Sequence, residues 1–250
     1  MHLVKRYRRV MTVFMLALVA TTIVSAAPSQ AQEETDVEAL LATSATTLAE
    51  LDSFHFLITT PVGKTLMLGE AELTSIEGDV VRPMSFQAQF TVGVGFASLT
   101  LEAVGIDDQL WVSNPMAGGE FMLLEGVEGQ ELPPLTLLNP DQLIQQAVSL
   151  IEEPAITGSD DLGGVQTTVV TGSFDPGSIT FDGTPVVEDV TGDLDPLQVT
   201  LWIDPENRVV QAEFAGALLP WEQGKGRIVR RIELSGFDLV PAIDVPHTAG

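Results

Sequence analysis

Beyond residue 31 the chain carries two imidazoles, His55 and His247, and no thiol, because it has no cysteine. A Ser–His–Asp triad needs an imidazole held beside its nucleophile. His247 falls in the last four residues, where chain ends are usually poorly tied down. His55 stands in LDSFHFLI (51–58), alternating with Phe54 and Phe56, so on a strand it faces away from them. An outer-face or edge role is expected for it. Neither G-x-S-x-G nor H-E-x-x-H occurs.

The carboxylates are many but not arranged for catalysis. Asp107-Asp108, Asp160-Asp161 and EDVTGDLD (188–195) lack the ligand spacing and closing Glu of a calcium loop, and read as solvated turns. A glycosidase pair can lie far apart in sequence, but no two carboxylates here can be set across a cleft. Only Trp111, Trp202 and Trp221 offer broad aromatic surface for a sugar. TVGVGF (91–96) has glycines at 93 and 95 but neither the third glycine nor the helix of a dinucleotide site; a bent or bulged strand is expected. Without cysteine there is no disulfide and no thiolate metal site. No enzyme, cofactor or metal centre is expected, with a hydrolase as the residual reading.

The elements that carry these residues are mostly strands. Val37, Leu40, Leu41, Ala45, Leu48 and Leu51 recur at helical spacing over 36–52, with Thr35 or Asp36 as N-cap. Phe54, Phe56 and Ile58 then alternate with polar or smaller residues up to Pro61-Val62-Gly63. An extended stretch covers 66–76, a turn is expected at Gly78-Asp79, and Phe86, Ala88, Phe90 and Val92 alternate with Gln87, Gln89 and Thr91. Strands follow over 99–104, 109–113 and 121–124, which implies an antiparallel meander. Residues 139–153 read as a second helix: Asn139 caps it, Pro140 opens it, Leu143, Ile144, Ala147, Leu150 and Ile151 form its apolar face, and Pro154 ends it. Strands resume over 164–172 and 179–181, then an acidic loop spans 182–196. LQVTLWID (197–204) and VVQAEF (209–214) form a hairpin with Asn207 left-handed, and a last strand covers 227–237. This is one α+β domain, an antiparallel sheet with helices on one face.

Lys5, Arg6, Arg8 and Arg9 precede an apolar run over 10–24 and the small-residue stretch SAAPSQAQ. That is the pattern of a secretory signal over residues 1–31, cleaved before Gln32, with residues 32–250 as the mature domain. An uncleaved anchor is the alternative, though the run is short for a bilayer. Removing residues 1–31 leaves seven basic residues against 35 acidic, a net charge of −28. Such a charge repels phosphate backbones and anionic lipid surfaces, so no nucleic-acid partner is expected. IVSA (23–26) resembles a bacterial lipobox with Ala26 where the lipidated cysteine would stand, so no lipid can be attached there.

What remains is apolar surface. Phe54, Phe56, Phe86, Phe90, Leu99, Leu101, Leu110 and Val112 are candidates for one inner sheet face, with Leu41, Leu48, Leu143 and Ala147 facing them from the helices. Periodicity leaves two readings open: an ordinary close-packed core, or a cavity.

Seven stretches, in order, resemble the LppX/LprAFG family of bacterial cell-envelope lipoproteins, relatives in shape of the LolA carrier. They are the leading helix with LDSFHFLI, EGDVVRPMSFQAQF (77–90), QLWVSNPMAGGEFMLL (109–124), LLNPDQLIQQAV (137–148), GGVQTTVVTGSF (163–174), LWIDPENRVVQAEF (201–214) and IELSGFDLVPAIDVP (232–246). The resemblance implies a curved antiparallel half-barrel with helices on its concave face, enclosing an apolar cavity for acyl chains, those twelve residues lining it. It implies an extracytoplasmic carrier, secreted or in the cell envelope. Its partner would be a lipid or glycolipid, with transient membrane contact, and the expected state is a monomer. A secreted interaction or sensing module with a filled core is the alternative.

Overall fold

The chain divides into a leading unit, Met1–Glu34, and a second unit, Thr35–Gly250. The computed structural model describes residues 36–66, 71–83, 85–95, 97–107, 109–115, 118–124, 140–178, 180–181, 184–185, 194–218 and 220–247, all in the second unit. The expected signal at 1–31 and Asn139 lie outside the described residues, as does most of the 182–196 loop.

Helix α1 (Val37–Glu50) begins where Asp36 Oδ1 accepts the N–H groups of Glu38 (3.1 Å) and Ala39 (3.4 Å), satisfying two of the unpaired donors of a helix start. Its buried side is Leu41, Ser44 and Leu48. Two residues later the chain enters the first strand.

Among the described residues twelve strands form one antiparallel sheet. They are β1 (Ser53–Val62), β2 (Thr65–Leu66), β3 (Glu72–Val81), β4 (Ser85–Val94), β5 (Ala97–Ile106), β6 (Gln109–Asn114), β7 (Glu120–Leu123), β8 (Glu152–Leu162), β9 (Val165–Phe174), β12 (Leu197–Ile203), β13 (Val209–Ala215) and β14 (Val229–Ser235). A separate two-stranded ribbon joins β10 (Thr180–Phe181) to β11 (Thr184–Pro185). The spatial order is β7-β6-β5-β4-β3-β1-β14-β13-β12-β9-β8, with β2 added to β3. The strands β3 to β7 are a meander, and β1 joins the beginning of the domain to its last strand. The sheet does not close: β7 and β8 are its two ends.

Helix α2 (Asp141–Leu150) follows Pro140 and buries Leu143, Ile144, Ala147 and Val148 in the same core as α1 and one face of the sheet. Arg82, at the turn from β3 to β4, holds both helices at one end of the sheet. Its Nη1 donates to the carbonyls of Leu48 (2.5 Å) and Leu51 (2.8 Å) at the end of α1, and its Nη2 to Asp141 Oδ1 (2.6 Å) at the start of α2. A cation at one helix C-terminus and a carboxylate at the other's N-terminus both favour the helix dipoles.

Two expectations are corrected. Gly78-Asp79 is no turn but the middle of β3, paired with Phe56 and His55 on one side and with Ala88 and Gln87 on the other. A Cβ at Gly78 would stand 2.2 Å from the Gln87 carbonyl oxygen and 2.9 Å from Phe56 Cζ, so glycine serves close approach, not turning. The second helix ends at Leu150 rather than near Pro154, and residues 152–162 form β8. Pro154 is tolerated there because β8 is an edge strand, with no ladder partner on its outer side. Gly93 pairs with Glu72 and Ser98 next to a bulge in the β3–β4 ladder, where Leu73 and Ser75 face Val92 and Thr91, and Gly95 (φ 62°) makes the β4–β5 turn. The hairpin at 204–209 forms as expected, with Asn207 at φ 61° and Asp204 accepting the N–H groups of Glu206 and Arg208.

Candidate functional site

His55 points to the outer face, its Nδ1 2.9 Å from Asp79 Oδ1 and its Nε2 3.6 Å from Glu77 Oε1. The Asp161 carboxylate binds its own β8–β9 turn, accepting the Gly164 N–H and the Gln166 amide, while Asp160 accepts the Asp161 N–H and the indole N–H of Trp202 on β12 (3.3 Å). Among the described residues no three metal-ligating side chains converge.

The inner, helix-bearing face is apolar in rows that run across the strands. The longest is Ile156, Val170, Leu201, Ala212, Ile232, Ile58, Ile76, Phe90 and Leu101, each directly opposite the next from β8 to β5. Two further rows flank it. One joins Phe54, Val80, Phe86, Gly105 and Leu110; the other joins Leu234, Phe56, Gly78, Ala88, Ala103, Val112 and Met122. All eight sheet residues singled out in the sequence lie on this face. The four helix residues share one core with it.

These twelve residues fall into two groups. Leu48, Phe54, Phe56 and Ala147 have no exposed surface, and Leu41, Phe90 and Leu143 almost none. These seven are buried in the core that the helices share with the sheet. Phe86, Leu101, Leu110 and Val112 pack against that core yet keep part of their surface, and Leu99 is 36% exposed. They sit together on β4, β5 and β6. Met122 of β7, half exposed and opposite Val112, extends the wall; FMLL has no alternation that would have marked it. Phe86 lies across Gly105, where a Cβ would stand 2.2 Å from its Cε1. The site is a wall of accessible apolar side chains, suited to sorption rather than to bond making.

The model of the LppX_LprAFG lipoprotein family matches residues 36–233. The chain belongs to this family. Among solved structures it is similar to LprF from Mycobacterium bovis, with 20% identity over 86% of this chain and 97% of that one and a TM-score of 0.57. It is also similar to the lipoprotein LppX from Mycobacterium tuberculosis, with 17% identity over 83% of this chain and 98% of that one and a TM-score of 0.55. At such identities these likenesses establish the fold. No match was found among curated proteins. The open antiparallel sheet, with two helices on one face among the described residues, is thus the family's α+β half-barrel.

Proposed function

We propose that this chain is an extracytoplasmic carrier that holds the acyl chains of a lipid or glycolipid and moves them within the cell envelope. One observation carries the reading. The inner face is closed under the helices but keeps a contiguous apolar wall, Phe86, Leu99, Leu101, Leu110, Val112 and Met122, open along β4–β7. Monomeric soluble proteins seldom leave such surface without a use. A methylene gains at most roughly 0.8 kcal/mol gross, when fully buried, so a long chain laid on this wall gains up to the order of 10 kcal/mol before ordering costs. The site needs no cofactor, and the family's description as lipoproteins supports an envelope setting.

The lining we propose is this wall; the enclosed residues Leu41, Leu48, Phe54, Phe56, Phe90, Leu143 and Ala147 are the packed floor that shapes it. In this reading residues 1–31 direct secretion and the protein works as a monomer. Among the described residues no helix is long and apolar enough to cross a membrane. The full burial of Leu48, Phe54, Phe56 and Ala147 supports a second reading, a sensing or interaction module with a filled core and no cargo. Native mass spectrometry of protein purified from an envelope-bearing host separates the two. Co-purified lipid is expected; repeated absence of lipid, with a flat apolar-dye titration, would rule out the carrier.

A further inference from the structure

Seven basic residues follow residue 35, against 35 acidic ones in the chain. Five are ion-paired: Lys64 with Glu72, Arg82 with Asp141, Arg208 with Asp204 and Glu206, Arg230 with Glu222, and Arg231 with Glu213. Lys225 and Arg227 are exposed and, among the described residues, have no acidic partner. Both lie in the connection from β13 to β14, beside Trp221, which is 40% exposed. The indole N–H of Trp221 donates to the Leu66 carbonyl (2.9 Å), so the surface it presents outward is apolar ring.

Main-chain packing fixes where this tip stands. A Cβ at Gly63 would meet the Arg227 carbonyl at 2.7 Å, Val62 pairs with Val229, and Leu66 pairs with Glu72. The tip therefore shares one end of the sheet with the β1–β2 turn and the β4–β5 hairpin, next to Leu99. Arg82 and the C-terminus of α1 are at the opposite end.

We infer that Trp221, Lys225 and Arg227 form the surface by which this protein lands on an anionic lipid bilayer, the step that presents the β4–β7 wall to its cargo. An indole ring flanked by basic side chains suits the bilayer interface, where anionic headgroups attract Lys and Arg and the ring sits at headgroup level. The remaining surface is acidic and repelled, so contact occurs only in this orientation. The inference rests on the carrier reading for its purpose but not for its test.

The chain has no cysteine, so one introduced thiol labels one place. Full-length Gln223→Cys and Glu206→Cys, the second in the hairpin at the far end of the sheet, are labelled with a polarity-sensitive fluorophore. Each is mixed at low salt with phosphatidylcholine vesicles, with and without phosphatidylglycerol. On phosphatidylglycerol vesicles the label at 223 is expected to shift to the blue and be quenched by spin-labelled lipid, while the label at 206 stays in water. Adding Lys225→Glu and Arg227→Glu should lower the landed fraction at least about fivefold. No response at 223, an equal response at 206, or a response unchanged by charge reversal or by omitting phosphatidylglycerol overturns the inference; binding of an acidic protein in place of vesicles does so too. Lipid content of the same preparation is measured separately, so an empty protein that still lands refutes only the carrier.

Discussion

Phe86 stands directly opposite Gly105 across β4 and β5, and its ring fills the place a Cβ at 105 would take, 2.2 Å from Cε1. Gly78 and Phe56 repeat the arrangement between β3 and β1, but there the nearest atom to an added Cβ is the Gln87 carbonyl oxygen, also at 2.2 Å. The difference decides what a methyl group costs. Phe86 borders accessible space and can swing aside, so Gly105→Ala is expected to destabilise by about 1–2 kcal/mol and to reduce lipid retention as the ring turns into the wall. Gly78→Ala must push β3 and β4 away from each other, at about 3 kcal/mol or more. Urea denaturation compares them. Equal costs would show that the Phe86 ring is as fixed as a backbone.

Phe90 and Leu101 are also direct opposites on β4 and β5, yet Phe90 is packed and Leu101 keeps accessible surface. A carboxylate at 90 would be buried without a partner, so Phe90→Glu is expected to unfold the domain. Leu101→Glu can hold its charge in water at the wall, and the same holds for Val112→Glu. Both should keep near-native circular dichroism while losing at least about tenfold in lipid-dye affinity. Full dye binding in a folded Leu101→Glu protein would remove β5 from the site.

The alternation of Phe54, Phe56, Phe86 and Phe90 with His55, Gln87 and Gln89 made the inner face readable without coordinates, because a buried face imposes period two. The Asp36 cap and the Asn207 turn were legible for the same local reason. Strand β8 was not: EEPAITGSDDL is an exposed edge with no apolar rhythm, set in place by its pairing with β9. Gly78 misled because glycine marks turns and close approaches alike. The division of the twelve candidate residues into packed and open groups depends on where α1 and α2 lie over the sheet. Their position follows from Arg82, a long-range contact that periodicity cannot register.

Neighbouring residues on the short 3₁₀ turn Pro220–Glu222 point opposite ways: Trp221 is exposed and Glu222 is buried against Arg230. Arg230 comes from the inner face of β14, and both side chains are almost wholly enclosed. Glu222 also accepts the Leu218 N–H (3.1 Å), while the Arg230 Nε–H has no acceptor. An enclosed pair of this kind adds little net stability, but losing one member strands a charge. Glu222→Ala should therefore destabilise by about 3–5 kcal/mol, and Arg230→Met alone by a similar amount. The double variant should recover most of the loss, giving a coupling of about 2 kcal/mol or more in a double-mutant cycle followed by urea denaturation. The same pair holds the loop that carries Trp221, Lys225 and Arg227. Glu222→Ala protein that still folds in mild conditions should therefore lose vesicle landing while its β4–β7 wall still binds dye. Additive single costs would mean that the two charges are solvated separately and that the loop is held by Leu218 and Trp221 instead.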